Sequence, residues 1–211
     1  MNRMRTAAVA AAVAAILTAP TLGGIIITQG TSAPTYATTL NFDEPGGPTG
    51  FVAPDAWSIS HGITELQAGD LSPQVGDFTT NFGPWVGTGN SFFGNFGVFI
   101  TWANDLTEFS TQLWDPSGPP GPFGGGLSVF VFNNGTQVAS GSFEPAWGGI
   151  GNSWFDVTTN TGSTFNEVRL LGFGFDPTTF VDDLSWNVVP EPGSLLLFSG
   201  VIGFTLLRRR R

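Results

Sequence analysis

Leu127-Ser128-Val129-Phe130-Val131-Phe132-Asn133-Asn134-Gly135-Thr136-Gln137-Val138-Ala139-Ser140 decides the fold class of this 211-residue chain. β-Branched and aromatic side chains dominate its first half, as suits a pleated and half-buried surface. Asn134-Gly135 then supplies two residues that tolerate positive φ, which a tight primed turn between twisted strands requires. The stretch reads as a hairpin: Leu127 to Phe132, a turn at Asn133-Asn134-Gly135, and a return from Thr136 to Phe143. Working outward, similar short apolar segments recur between turn residues. They are Leu40 and Phe42 alternating with Thr39 and Asn41, Val98 to Trp102, Phe109 to Trp114, Trp154 to Thr158, Val168 to Phe175, and Thr179 to Asn187. Thirty glycines and 15 prolines argue against helices of any length here. Roughly seven to ten short strands at this spacing predict an all-β, two-sheet antiparallel sandwich of jelly-roll type.

Composition narrows the function. Residues 38–187 carry 15 acidic side chains against a single cation, Arg169, and the chain has no lysine. Nucleic acid is excluded as a partner, because phosphate contacts need clustered Lys and Arg. With 20 Phe and 7 Trp the chain is too apolar to stay disordered. It has no cysteine, hence no disulfide, thiolate metal site or thiol nucleophile.

Both ends read as addresses. Met1 to Arg5 is a basic n-region, Ala7 to Leu17 an apolar core, and Thr35-Tyr36-Ala37 offers small residues for a signal peptidase. A cut after Ala19 would place Pro20 just beyond the scissile bond, so residues 1–37 are the expected signal peptide. At the other end Pro190-Glu191-Pro192 precedes an apolar run at 194–207 and a basic end, Arg208 to Arg211. A helix over that run is about 21 Å long, short of the ~30 Å hydrocarbon core, so it spans only with snorkelling or bilayer thinning. The positive-inside rule keeps the arginines cytoplasmic and puts residues 38–187 across the membrane. The tail, residues 188–211, resembles the PEP-CTERM sorting signal. That resemblance implies a transient transmembrane helix, an exosortase as processing partner, cleavage near Pro190, Glu191 and Pro192, and release or attachment at the cell surface.

Between the addresses the domain resembles the β-sandwiches that precede such tails and the lectin-like carbohydrate-binding modules. Leu40-Asn41-Phe42-Asp43-Glu44 and Phe180-Val181-Asp182-Asp183-Leu184-Ser185 carry the likeness. Counting along strands puts Glu44 with Leu40 and Phe42, and Asp182 with Phe180, Leu184 and Trp186. A charge aimed at apolar neighbours is expensive, which leaves protonation, a bulge or a bound hard cation. The resemblance implies structural calcium where the first and last strands meet. Glu44 and Asp182 are the expected ligands, with Asp43 and Asp183 as alternates if a bulge shifts the register.

Catalysis finds little support. His61 is the one histidine, no Gly-x-Ser-x-Gly elbow occurs, and no residue is assigned a catalytic role. Two carboxylates would suffice for a secreted carbohydrate-active hydrolase, which stays the alternative beside a purely structural module. Sugar binding fits better, because aromatic faces stack on pyranose rings while Asn and Asp bond the hydroxyls. Trp57, Trp85, Trp114 and Trp147 adjoin Gly- and Pro-rich loops and are the candidates, whereas Trp102, Trp154 and Trp186 read as core. The expectation is a non-catalytic exported surface or matrix protein with extracellular polysaccharide as ligand.

Overall fold

The computed structural model describes residues 24–30, 32–82, 89–114, 126–143, 154–160, 162–173 and 178–190. Along the chain run β1 (Ile25–Gly30), β2 (Thr38–Leu40), β3 (Gly50–Phe51), α1 (Ser58–His61), β4 (Ile63–Ala68), β5 (Gln74–Gly76), α2 (Thr79–Phe82), β6 (Ser91–Gly94) and β7 (Val98–Trp114). Then follow β8 (Gly126–Asn133), β9 (Thr136–Phe143), β10 (Trp154–Thr159), β11 (Phe165–Phe173) and β12 (Thr179–Val188). Among the described residues every pairing is antiparallel. The fold is the all-β sandwich expected, and both helices are single turns.

The hairpin forms as read. β8 and β9 pair from Leu127↔Phe143 to Asn133↔Thr136, with Asn134 at φ 49° and Gly135 at φ 76°. The reading of Val98–Trp102 and Phe109–Trp114 as two strands needs correction, since β7 is one strand of 17 residues. Its N-terminal half pairs with β4 and β11, and β11 continues into β8 and β9. Its C-terminal half pairs with β10 and β12. Beyond β10 lies β1; beyond β12 lie β2 and the series β6, β5, β3. Thus β7 belongs to two arms of strands, and the register slips where it passes between them. Its inward side chains change phase at the same place: Val98, Ile100 and Trp102 on one side, Phe109 and Leu113 on the other. A slip of one residue exchanges the faces of a strand, so the crossing keeps both halves pointed at one interior.

That interior holds the main apolar cluster of the described residues. Val129, Val131, Val168 and Leu170 enter it from one arm; Phe155, Val157, Val181, Leu184 and Trp186 enter from the other. Trp102 bridges them, with ring centroids 5.1 Å from Phe109 and 5.9 Å from Trp186. Each fully buried large side chain contributes roughly 1.5–3 kcal/mol, which is how a cysteine-free domain of this size holds together.

β1 lies within the span expected to be the signal peptide, yet all six of its residues pair with β10. Ile25 and Ile27 pack against the core. Among the described residues no helix is long and apolar enough to cross a membrane; the expected sorting helix at 194–207 lies outside them.

Candidate functional site

Residues 32–37 have to travel far. β1 sits on the outer side of β10, while β2 pairs with β12 on the side away from β7. The link between them therefore crosses β10, β7 and β12 on one face of the sheet, as a strap. It is fastened at both sides. The Tyr36 hydroxyl donates to Asp156 Oδ1 of β10 at 2.5 Å, and the Ala37 N–H donates to Asn187 Oδ1 of β12 at 2.8 Å. Phe155 and Val157 point into the core, so Asp156 between them faces the strap. On the same face the hydroxyls of Ser110 and Ser185 bond each other at 2.7 Å, both buried.

Burial and the adjacent Asp156 carboxylate raise the Tyr36 hydroxyl well above its ordinary range, so it remains a donor at any physiological pH. Burial also pushes the Asp156 carboxyl up; the Tyr36 bond opposes this and the Glu108 charge reinforces it. Glu108 in turn accepts from the Asn187 side chain.

Under one end of the strap opens a pocket of about 340 Å³. Pro34, Tyr36, Thr39, Asn41, Trp154 and Asp183 are among its lining residues. Trp154 is half-buried rather than core, the opposite of its reading from sequence; Trp102 and Trp186 are buried as expected. Its position at the first residue of β10 explains the difference, because the end of a strand has fewer neighbours to cover it.

Beside the pocket three carboxylates gather. β12 carries an extra residue between Asp182 and Ser185, and Asp183 takes up the irregularity at φ 47°. This corrects the alternation count. Val181 lies with Leu184 and Trp186 in the main core, while Phe180 packs with Phe78 and Phe93 in a separate cluster. Asp182 is 5% exposed, its Oδ1 accepting the Asp183 N–H at 2.7 Å. Asn41 Nδ2 donates to Asp183 Oδ1 at 3.1 Å, and the Asn90 N–H donates to Asp43 Oδ1 at 2.7 Å. The main chain passes so close to Asp43 that a Cβ on Gly89 would lie 2.2 Å from Asp43 Oδ2. Burial, then the charges of Asp183 and Asp43, push the Asp182 carboxyl up to about 7. Burial and Asp43 raise Asp183 as well.

Glu44 is not part of this group. It sits in the loop after β2, 3.6 Å from His61 Nε2, so the alternates Asp43 and Asp183 are what approach Asp182. His61 also meets Ser60 Oγ at 2.8 Å and the edge of Trp186, which ties α1 to that loop. Among the described residues no three acidic or histidine side chains are arranged to hold a metal ion. Of the tryptophans expected to bind sugar, Trp57 is 4% exposed and packs edge-on against Phe42, which leaves no face for a ligand. Trp85 and Trp147 lie outside the described residues, as does the side chain of Trp114 at the end of β7. Pro190 is exposed just after β12; Glu191 and Pro192 lie outside the described residues.

Residues 188–211 match the PEP-CTERM protein-sorting motif. The chain therefore carries a sorting signal, which implies export with a C-terminal membrane anchor before processing. Among curated proteins none matches this chain. Two solved structures are similar to it at low identity. One is a family 6 carbohydrate-binding module, at 10% identity and a TM-score of 0.26, with 78% of this chain and 94% of that one covered. The other contains the M60 catalytic domain with the CBM51-1 and CBM51-2 domains of Clostridium perfringens ZmpB, at 13% identity and a TM-score of 0.28. There 78% of this chain is covered but 15% of that one. Superpositions at this level assign no ligand.

Proposed function

We propose that this is a non-catalytic protein of the cell surface or extracellular matrix that holds an uncharged polysaccharide in the pocket under the strap. The observation that carries the reading is the lining of that pocket. A half-exposed indole, Trp154, stands beside Tyr36, Thr39, Asn41 and Asp183, which together can accept and donate hydrogen bonds. An apolar pyranose face stacks on the indole while the ring hydroxyls find the polar groups, the usual division of labour in small-ligand pockets. The surrounding acidic charge disfavours anionic glycans. A glycan array on the exported protein tests this, with Trp154→Ala expected to weaken the best neutral ligand at least about tenfold, or ~1.4 kcal/mol. Equal binding by wild type and variant would overturn the reading, and release of reducing ends from that ligand would favour a hydrolase.

Sorting belongs to the same proposal. An exosortase cuts near Pro190-Glu191-Pro192 after a transient stay in the membrane, leaving the domain at the surface or free outside. Mass spectrometry of the mature protein should find a C-terminus between Pro190 and Gly193; a tail complete to Arg211 would contradict it. Structural calcium is a further proposal for the carboxylate group. Asp182 and Asp183, raised by burial and by neighbouring acid charge, offer the oxygen ligands that a hard cation takes. Asp43, Asp182 and Asp183 would hold it only after rearranging, since no three acidic side chains among the described residues are placed for a metal ion.

A further inference from the structure

We propose that the leader is cut between Gly23 and Gly24, so that β1 and the strap stay with the exported domain. The fold supplies the first reason. β1 pairs over its whole length with β10, from Ile25↔Thr159 to Gly30↔Trp154, and the Asn160 N–H donates to the Gly24 carbonyl at 3.0 Å. Ile25 and Ile27 pack against the main core. A cut after Ala37 would strip all of this away. It would open the free edge of β10 along six residues, a template for pairing with another chain. It would also remove Tyr36 from the half-buried Asp156, and Pro34 and Tyr36 from the pocket wall. A half-buried carboxyl that loses its donor keeps part of its desolvation cost with nothing to offset it.

The second reason lies in the leader itself and is independent of the fold. A secretory leader runs about 15–30 residues, with a basic start, an apolar core of about 7–15 residues and small residues before the cut. Met1 to Arg5, Ala7 to Leu17 and Thr18 to Gly23 fill those three parts in order. Thr21 and Gly23 place small side chains third from the bond and immediately before it. The apolar core ends close upstream, whereas Thr35-Tyr36-Ala37 is separated from it by the whole of β1. A signal peptidase would hydrolyse the Gly23–Gly24 amide with one water. The hydroxyl goes to the Gly23 carbonyl carbon, a proton goes to the Gly24 nitrogen, and the mature chain begins one residue before β1.

This boundary does not depend on sugar binding, and its test is blind to it. The full-length chain is expressed in a Gram-negative host, and the N-terminal peptide of the exported protein is sequenced. The expected peptide starts at Gly24. A start at any other residue overturns the assigned bond, and a start at Thr38 also overturns retention of the strap. Two variants separate the candidate sites. Gly23→Leu should leave the leader attached, and since that residue precedes β1 and the strap, the change removes none of the contacts described for them. Ala37→Leu, at an exposed position that uses only its main-chain N–H, should be processed like wild type. Normal processing of Gly23→Leu, or a block in Ala37→Leu, would refute the proposal.

Discussion

Asp182 shows how a single extra residue in a strand rearranges a site. Two adjacent acids in a regular strand point to opposite faces, so where one face is buried one of the pair meets it. Here the bulge at Asp183 takes the second acid out of the alternation, the register shift for which Asp183 stands as the alternate. β2 ends at Leu40, so Glu44 is not held to a strand's alternation and stays exposed in the loop beyond it. A titration follows from the burial. With Asp182 raised from 3.8 to about 7, the folded chain holds a proton between those pH values that the unfolded chain has lost. Stability therefore falls as pH rises through that window and is lowest above about 7, by up to about 4 kcal/mol. Asp183 and Asp156 act in the same direction. Asp70 and Asp77, whose side-chain hydrogen bonds lower them, contribute only on the acid side of the window. In EDTA, urea denaturation should show greater stability at pH 5 than at pH 8, and Asp182→Asn should flatten the difference. Added calcium should restore the loss at pH 8 in the wild type alone; no response to calcium would remove the ion from the proposal while leaving the titration intact.

At the scale of elements, β8 and β9 were legible because the turn chemistry and the strand chemistry agree along one stretch. β7 was legible only in pieces. Ala103 and Asn104 are exposed and Asp105 is half-exposed, so the alternation lapses where the strand changes arms and the sequence reads as a loop. β1 was hidden differently: Ile25, Ile26 and Ile27 extend the apolar character of the leader, and composition does not reveal where a leader stops and a strand begins. The pocket inherits this blindness, since part of its wall comes from the strap. If β1 and the strap are integral, residues 38–187 made alone should unfold more easily than residues 24–187. About 2–4 kcal/mol is expected from two half-buried isoleucines and one lost charge-assisted hydrogen bond. Paired urea curves check it, and identical midpoints would mean that β1 contributes nothing.

On the scale of the whole molecule, charge is the legible property. The fifteen acids of residues 38–187 repel one another, and Arg169, the one cation of that span, is already engaged by Glu167 at 2.5 Å and lies over the Phe132 ring at 4.3 Å. Salt shortens the reach of that repulsion to about 8 Å at physiological ionic strength. The melting temperature should therefore rise from low salt to ~0.3 M sodium chloride at neutral pH, and a fall would show that local ion pairs outweigh the net repulsion. The exit of the chain carries a mechanical consequence. The last described residues leave from β12, which is clasped by β7 on one side and by β6 and β2 on the other. A pull on the C-terminus therefore runs along an interior strand. Its hydrogen bonds lie across the strand, so a pull along its axis loads them side by side, whereas an edge strand peeled from its end would give them up one by one. Wherever the tail is held, a load on it enters the domain along a strand held on both sides rather than at an edge.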